Sequence, residues 1–226
     1  MSTSINNNRR KFLMGGLAVG AAGLTVGFKP ADIGENHSPY FVALSEALDK
    51  NLSSKPTMVV DKNKLLTNIK ILTKNIGDRF HYRIVVKSLP SIELVKLVMQ
   101  EANTDRLMVF HQPFLTQVSQ QLPQADVLMG KPMPVAAAAQ FYRSYDEATS
   151  SFNASKQLQW LLDSPLRLKQ YLTLAQQQNL NMRINIELDV GLHRGGISDD
   201  KDLVEMLNII EASEHLTFSG FMGYEP

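Results

Sequence analysis

The stretch Arg83 to Ala102, RIVVKSLPSIELVKLVMQEA, decides the fold. Its opening is β-branched, and with the two residues ahead of it the segment His81 to Val86 reads as a strand. Its second half, Ser91 to Ala102, places Ile92, Val95 and Met99 on one face of a helix. Between the two stands Lys87, where strand gives way to helix. A lysine at a strand end can be buried at a mouth rather than in a core, and its pKa can be lowered enough to form a Schiff base. An ordinary surface lysine capping a strand is the other reading of RIVVKSLP.

The same strand-then-helix unit recurs on both sides. Upstream, Thr57 to Val60 (TMVV) is a short apolar run ended by Asp61 as a helix N-cap, and Leu65, Ile69, Leu72 and Ile76 then follow at helical spacing up to Gly77. Downstream, Leu107 to Phe110 is a strand and Pro113 to Leu122 a helix; Ala125 to Met129, closed by Gly130, precedes a helix over Val135 to Tyr145. Leu158 to Leu162 (LQWLL) pairs with a helix over Leu166 to Gln178, and Met182 to Leu188 (MRINIEL) with one over Lys201 to Ala212. Leu216 to Met222 is the seventh strand. Strand starts recur every ~18 to 33 residues, the length a βαβ crossover needs. Apolar runs alternating with amphipathic helices imply a parallel sheet covered on its outer face. With no GxGxxG after the first strand, the pattern predicts an α/β fold of the TIM-type (β/α)8 barrel class, truncated after the seventh strand, rather than a doubly wound sheet.

With 226 residues and 44% hydrophobic content, the chain can bury a sizeable core. A net charge of +1 offers no general argument for nucleic acid or an anionic membrane as partner. The absence of cysteine excludes disulfides, cysteine nucleophiles and thiolate metal sites, and the five histidines show no HxH or HExxH spacing, so no metal site is expected in this stretch. Residues 1–30 read as a twin-arginine (Tat) export signal: Arg9 and Arg10 stand directly before Lys11, Phe12 and Leu13, followed by a weakly apolar run rich in Gly and Ala. A Sec signal or a short anchor helix is the alternative, although the glycines make a poor membrane helix. Cleavage is expected between Ala22 and Asn36, and the Tat translocase is the partner this reading implies, with a periplasmic destination. Residues 31–56 form a lead-in with one amphipathic helix, Pro39 to Leu52, in which Phe41, Leu44, Leu48 and Leu52 share a face; the barrel occupies 57–226.

Functional groups of a TIM barrel stand just past the C-terminal ends of its strands. Those positions are Asp61, Lys87, His111, Lys131, Asp163, the run Asp189 to Gly196, and Tyr224. The densest is ELDVGLHRGGI, Glu187 to Ile197, where a strand exits into a loop with three glycines, His193 and Arg194. Glycines let the backbone approach a ligand closely, and a guanidinium fork suits a carboxylate or phenolate; a tight turn with a solvated arginine is the plainer reading. Asp61, Asp163 and Asp189 lack the acid and base pairing of a glycoside hydrolase.

Taken together, PTMVVDKNKLLTNI, the strand ending in Lys87, LLDSP, ELDVGLHRGGI and FSGFMGYEP resemble, in that order, the N-terminal barrel of the alanine racemase-like pyridoxal phosphate (PLP) enzymes of fold type III, and within it the branch of D-threonine aldolases and D-serine dehydratases. The resemblance covers Thr57 to Pro226. It implies that Lys87 carries PLP and serves as a catalytic base, that Arg194 lies near the cofactor phenolate and the substrate carboxylate, and that Tyr224 is the aromatic residue beside the cofactor. Asp189 and Gly191 shape the arginine loop, and His193 has a structural role. It further implies an amino-acid substrate, a homodimer and, in the aldolase and dehydratase branch, a divalent metal held by a C-terminal β-domain that this sequence does not contain. Ser88-Leu89-Pro90 follows the lysine where the known branches carry other residues, so these positions do not name the substrate. Aldol cleavage, dehydration and racemisation all stay open, as do a PLP-binding barrel without catalysis and a cofactor-free periplasmic barrel protein.

Overall fold

The structure, a computed structural model, describes residues 36–50, 55–89 and 91–225. The export signal expected over residues 1–30 lies outside the described residues, as does the expected cleavage region between Ala22 and Asn36 except for Asn36 itself. The chain divides into two compact units, Met1–Val59 and Val60–Pro226. In the first, helix α1 (Pro39–Lys50) buries no side chain; Leu44 and Leu48 are half-buried and Phe41 is 56% exposed. The continuation of this helix to Leu52 falls outside the described residues.

The second unit is built on six parallel strands in sequence order: β1 (Ile84–Val85), β2 (Arg106–Val109), β3 (Asp126–Met129), β4 (Leu158–Leu162), β5 (Met182–Leu188) and β6 (Leu216–Gly223). Helices α2 (Lys62–Ile76), α3 (Ile92–Glu101), α4 (Gln112–Gln121), α5 (Val135–Ser144), α7 (Pro165–Gln178) and α8 (Asp200–Glu211) alternate with them, and a short helix not expected from the sequence, α6 (Ala154–Gln157), leads into β4. The boundaries are set by ordinary capping chemistry. Asp61, Ser91, Asn153, Ser164 and Asp199 each accept a backbone N–H of the first helical turn, and Asn179, in the left-handed region at φ 51°, ends α7.

Two strand expectations are corrected. Thr57 to Val60 is not a strand; Met58, Val59 and Val60 are 72%, 45% and 46% exposed. Its expected neighbour, read as His81 to Val86, is paired only over Ile84 and Val85 before the chain winds into a 3-10 turn at Val86–Ser88. A further strand laid against β1 would find too few backbone groups to offset the entropy of ordering it. Among the described residues six strands are therefore formed, not the seven expected.

The two faces of the sheet differ. Leu107, Val109, Val127, Met129, Trp160, Ile184 and Ile186 pack against the helices and are buried. The tightest part is aromatic: Trp160 donates its indole N–H to the Tyr142 hydroxyl (3.1 Å), and Tyr171 donates to the Met133 carbonyl (3.1 Å). Side chains of alternate residues point to the opposite face, and these are unusually polar. Arg83 forms an ion pair with Asp126 (2.6 Å), Gln159 donates to Asp126 (3.1 Å), and Asn185 donates to Gln159 (3.4 Å).

Candidate functional site

Lys87 lies in the 3-10 turn directly after β1 and is exposed. Its Nζ stands 4.9 Å above the ring centroid of Phe110, the residue that follows β2. Val85 pairs with Met108 as the last residue of the β1 ladder, and the turn that follows carries Lys87 over Phe110. Val109 pairs with Met129, so the next residues, Phe110 and Gly130, fall side by side. A Cβ at Gly130 would stand 2.5 Å from the Phe110 ring, so the missing side chain is what lets the ring lie under the lysine. Among the described residues no carboxylate pairs with Lys87.

The same row continues through Leu161 and Asn185 to Gly220. Asn185 is 5% exposed, and its Oδ1 is a buried acceptor without a partner among the described residues. The polarity of the amide is imposed from below: Asp126 can only accept, so Gln159 donates to it, and Asn185 in turn donates to the Gln159 carbonyl oxygen. The Asn185 Oδ1 is thereby left without a partner among the described residues, in the row that passes through Gly130 and Phe110.

At the other edge of the sheet the Arg194 guanidinium carbon lies 4.1 Å from the centroid of the Tyr224 ring. Arg194 is exposed and Tyr224 is 43% exposed. A guanidinium flat on an aromatic face keeps its N–H edge free for an anion. The loop that carries it is tied at its base, where Asp189 N–H donates to Ile197 O (3.0 Å) and Ile197 N–H donates to Glu187 O (2.8 Å). Gly196, at φ 96°, has no room for a side chain, since a Cβ there would stand 2.5 Å from the Asp189 nitrogen.

Asp189 and His193 shape this loop. Asp189 Oδ1 accepts the N–H groups of Gly191 and His193, both at 3.0 Å, while Oδ2 meets His193 Nδ1 at 2.7 Å. The His193 side-chain hydrogen bond, followed by the two backbone N–H groups, holds the Asp189 carboxyl below the usual carboxylate range. His193 sits at φ 56°, a conformation that histidine tolerates better than bulkier residues, and its side chain is 82% exposed. Both residues therefore hold the loop that presents Arg194.

Glu187 was not singled out in the sequence. It is 6% exposed, and its carboxyl takes no hydrogen bond among the described residues. Asp163 follows the last paired residue of β4 as Glu187 follows its partner in β5, so the two stand side by side. Burial, and then the charge of Asp163, push the Glu187 carboxyl up, with Arg194 opposing. A carboxylate one residue before a strand end carries no distinctive sequence signal, which is why only the register reveals it. Of the other strand-end positions, Asp61 caps α2, His111 caps α4 and stacks on Phe114 (5.9 Å), and Lys131 is exposed. Among the described residues no group of three His, Asp or Glu could hold a metal ion.

Residues 60–226 match the profile of the alanine racemase N-terminal domain. The chain belongs to this family. Its fold implies pyridoxal phosphate. Similar solved structures include D-threo-3-hydroxyaspartate dehydratase from Delftia sp. HT23, at 18% identity and a TM-score of 0.60, over 76% of this chain and 43% of that one. The alanine racemase from Bacillus anthracis is similar at 18% identity, TM-score 0.59, over 76% and 43% of the two chains. Histidine racemase from Leuconostoc mesenteroides subsp. sake is similar at 12% identity, TM-score 0.56, over 72% and 41%. The chain thus spans less than half the length of these solved relatives, and no curated protein matches it.

The residues present fit the cofactor. An amine free of carboxylates stands at a strand end over an aromatic face, an unpartnered buried acceptor lies in the row of that aromatic residue, and an arginine is held with its N–H edge free.

Proposed function

We propose that this protein is a PLP-dependent enzyme acting on D-amino or β-hydroxy amino acids by aldol cleavage, dehydration or racemisation, with Lys87 as the residue that attaches the cofactor. The observation that carries this reading is Lys87 itself: an exposed amine at the C-terminal end of β1, without an acidic partner and 4.9 Å over Phe110. When bound, PLP supplies an electron sink for the bonds at the substrate Cα. The chain's own contributions are simpler. Lys87 would hold the cofactor through its nucleophilic amine and would act as a base toward the substrate. Arg194, held on Tyr224, offers its N–H edge to the substrate carboxylate. Phe110 keeps water from one side of the lysine. The likeness to racemases and to a dehydratase supports an enzyme over a non-catalytic carrier. A homodimer and a divalent metal in the longer protein belong to the same proposal, as does export to the periplasm through the twin-arginine signal at Arg9 and Arg10.

The test is the visible absorption of the purified protein after incubation with PLP, before and after borohydride reduction, with Lys87→Ala alongside. The expected result is a band that reduction traps and that Lys87→Ala lacks. No Lys87-dependent band would overturn the reading. Turnover of D-threonine, D-serine and D-alanine, with and without a divalent metal, then separates the three reactions.

A further inference from the structure

β6 carries one residue more than its partner. Ile184 pairs with Phe218, but the next residue, Asn185, pairs with Gly220, so Ser219 is an extra residue bulged out of the ladder. Three observations mark the bulge as a change of phase. Phe218 and Phe221, three apart, would face opposite sides of a regular strand, yet their rings meet at 4.9 Å on one side. Gly220 lies at φ 140°, where a side chain is strained. Ser219 Oγ is buried without a hydrogen-bond partner among the described residues, as expected of a residue that belongs to neither register. Beyond the bulge, Glu187 pairs with Met222 and Leu188 with Gly223, so Tyr224 falls opposite Asp189 at the base of the arginine loop. Had Ser219 paired with Asn185 in an unbroken ladder, every later residue would move one place, and Tyr224 would turn to the helix-facing side.

We infer that Gly220 is a positioning residue of the candidate site: its conformation at φ 140° lets Ser219 stand out of the ladder, which keeps the phase that turns Tyr224 toward Arg194, and Arg194 then presents its guanidinium edge to a carboxylate. The carboxylate clause rests on the proposed function; the phase argument does not. Deleting Ser219 removes only the unpaired residue, so Gly220 stays opposite Asn185 and Tyr224 stays in place. Replacing Gly220 by alanine penalises φ 140° and drives Ser219 into the ladder, which flips Tyr224. Deleting Ser219 in that background restores regular dihedrals at position 220 and rescues the contact.

The experiment is 19F NMR of the full chain with 3-fluorotyrosine, the Tyr224 resonance assigned by Tyr224→Phe and its position without the arginine given by Arg194→Gln. The expected result is a wild-type shift in ΔSer219, the Arg194→Gln shift in Gly220→Ala, and a return to the wild-type shift in ΔSer219/Gly220→Ala. Titration with acetate should move the resonance in wild type and ΔSer219, with affinity weakened at least ~5-fold in Gly220→Ala. An unchanged shift in Gly220→Ala, or no rescue in the double variant, overturns the inference. If Gly220→Ala does not fold, ΔSer219 decides it: a wild-type shift supports the phase argument, and loss of the contact there overturns it, because the pairing of Gly220 with Asn185 would then not suffice to place Tyr224. Wild type that lacks the Lys87-dependent PLP band but follows this pattern sinks the proposed function and leaves the phase argument standing; wild type that has the band but ignores acetate sinks only the carboxylate clause.

Discussion

At the scale of single residues, the decisive quantity is space at one position and charge at another. Phe110 lies beneath Lys87 only because position 130 has no side chain. Gly130→Ala should therefore displace the ring and destabilise the protein by about 1 to 3 kcal/mol, the usual cost of overpacking. Urea unfolding reads the cost, and slower borohydride-trappable PLP attachment reads the displaced lysine; a variant with wild-type values of both would show that Phe110 is not supported from below. Glu187 makes a prediction of sign. Its folded-state pKa is raised, so the native state holds a proton that the unfolded chain has lost as pH rises between the two values. Below the unfolded value both states are protonated and nothing is lost; above the folded value the buried charge costs the native state its full penalty. Glu187→Gln should equal wild type in acid and exceed it at neutral pH, by denaturant midpoint. A gap that stays constant with pH would mean that the carboxyl is not the cause.

At the scale of elements, what the sequence reveals and what it hides follow from the range of the interactions. Helix starts were legible because capping is local: Asp61, Ser91, Ser164 and Asp199 act within three residues of themselves. The strand over 57–60 was misread because its apolar pattern is satisfied only if a neighbour is long enough to pair with, and β1 is two residues. The roles proposed for Lys87 and Arg194 rest on resemblance, while Glu187, Asn185 and the Ser219 bulge depend on register between strands, which no single segment encodes. The arginine loop lies between these extremes. Its glycines announce a turn, yet it is Asp189 that closes it, through the N–H groups of Gly191 and His193 and the His193 ring. The lowered pKa of Asp189 fixes the sign here in the opposite sense: its contribution is present above the unfolded carboxylate value and is lost as pH falls through the folded one. Asp189→Asn should speed amide hydrogen exchange at positions 191 and 193 at neutral pH, and the difference from wild type should shrink in acid. Equal exchange at neutral pH would assign the loop's shape to its glycines alone.

At the scale of the whole molecule, the sheet is held on two chemically different sides, and the polar side runs from the fold's base toward its functional end. Arg83, just ahead of β1, reaches Asp126 on β3 and the carbonyls of Leu107 and Asp126; from Asp126 the chain of amides passes through Gln159 on β4 to Asn185 on β5. Asp126 is the hub, because it is the only group in the series that accepts from both directions. Asp126→Ala takes the carboxylate from a guanidinium and an amide, although Arg83 keeps its two backbone carbonyl acceptors. Since the pair is only partly buried, with 19% and 30% side-chain exposure, the cost should be about 2 kcal/mol rather than the larger figure of a fully buried pair. Replacing both partners by leucine should recover part of that loss, because the Arg83 charge is gone, but not all of it, because Gln159 and Arg183 still lack the Asp126 carboxylate. The consequence for the site is directional. Without Asp126, Gln159 is free to turn its amide over and donate to Asn185, and Asn185 then loses the polarity that leaves Oδ1 open in the row of Gly130 and Phe110. PLP affinity of Asp126→Ala should fall even under conditions where the variant is fully folded, and should not return in the double leucine variant, whose stability does. Affinity that tracked stability through all three variants would show that the polar layer supports the fold and leaves the site alone.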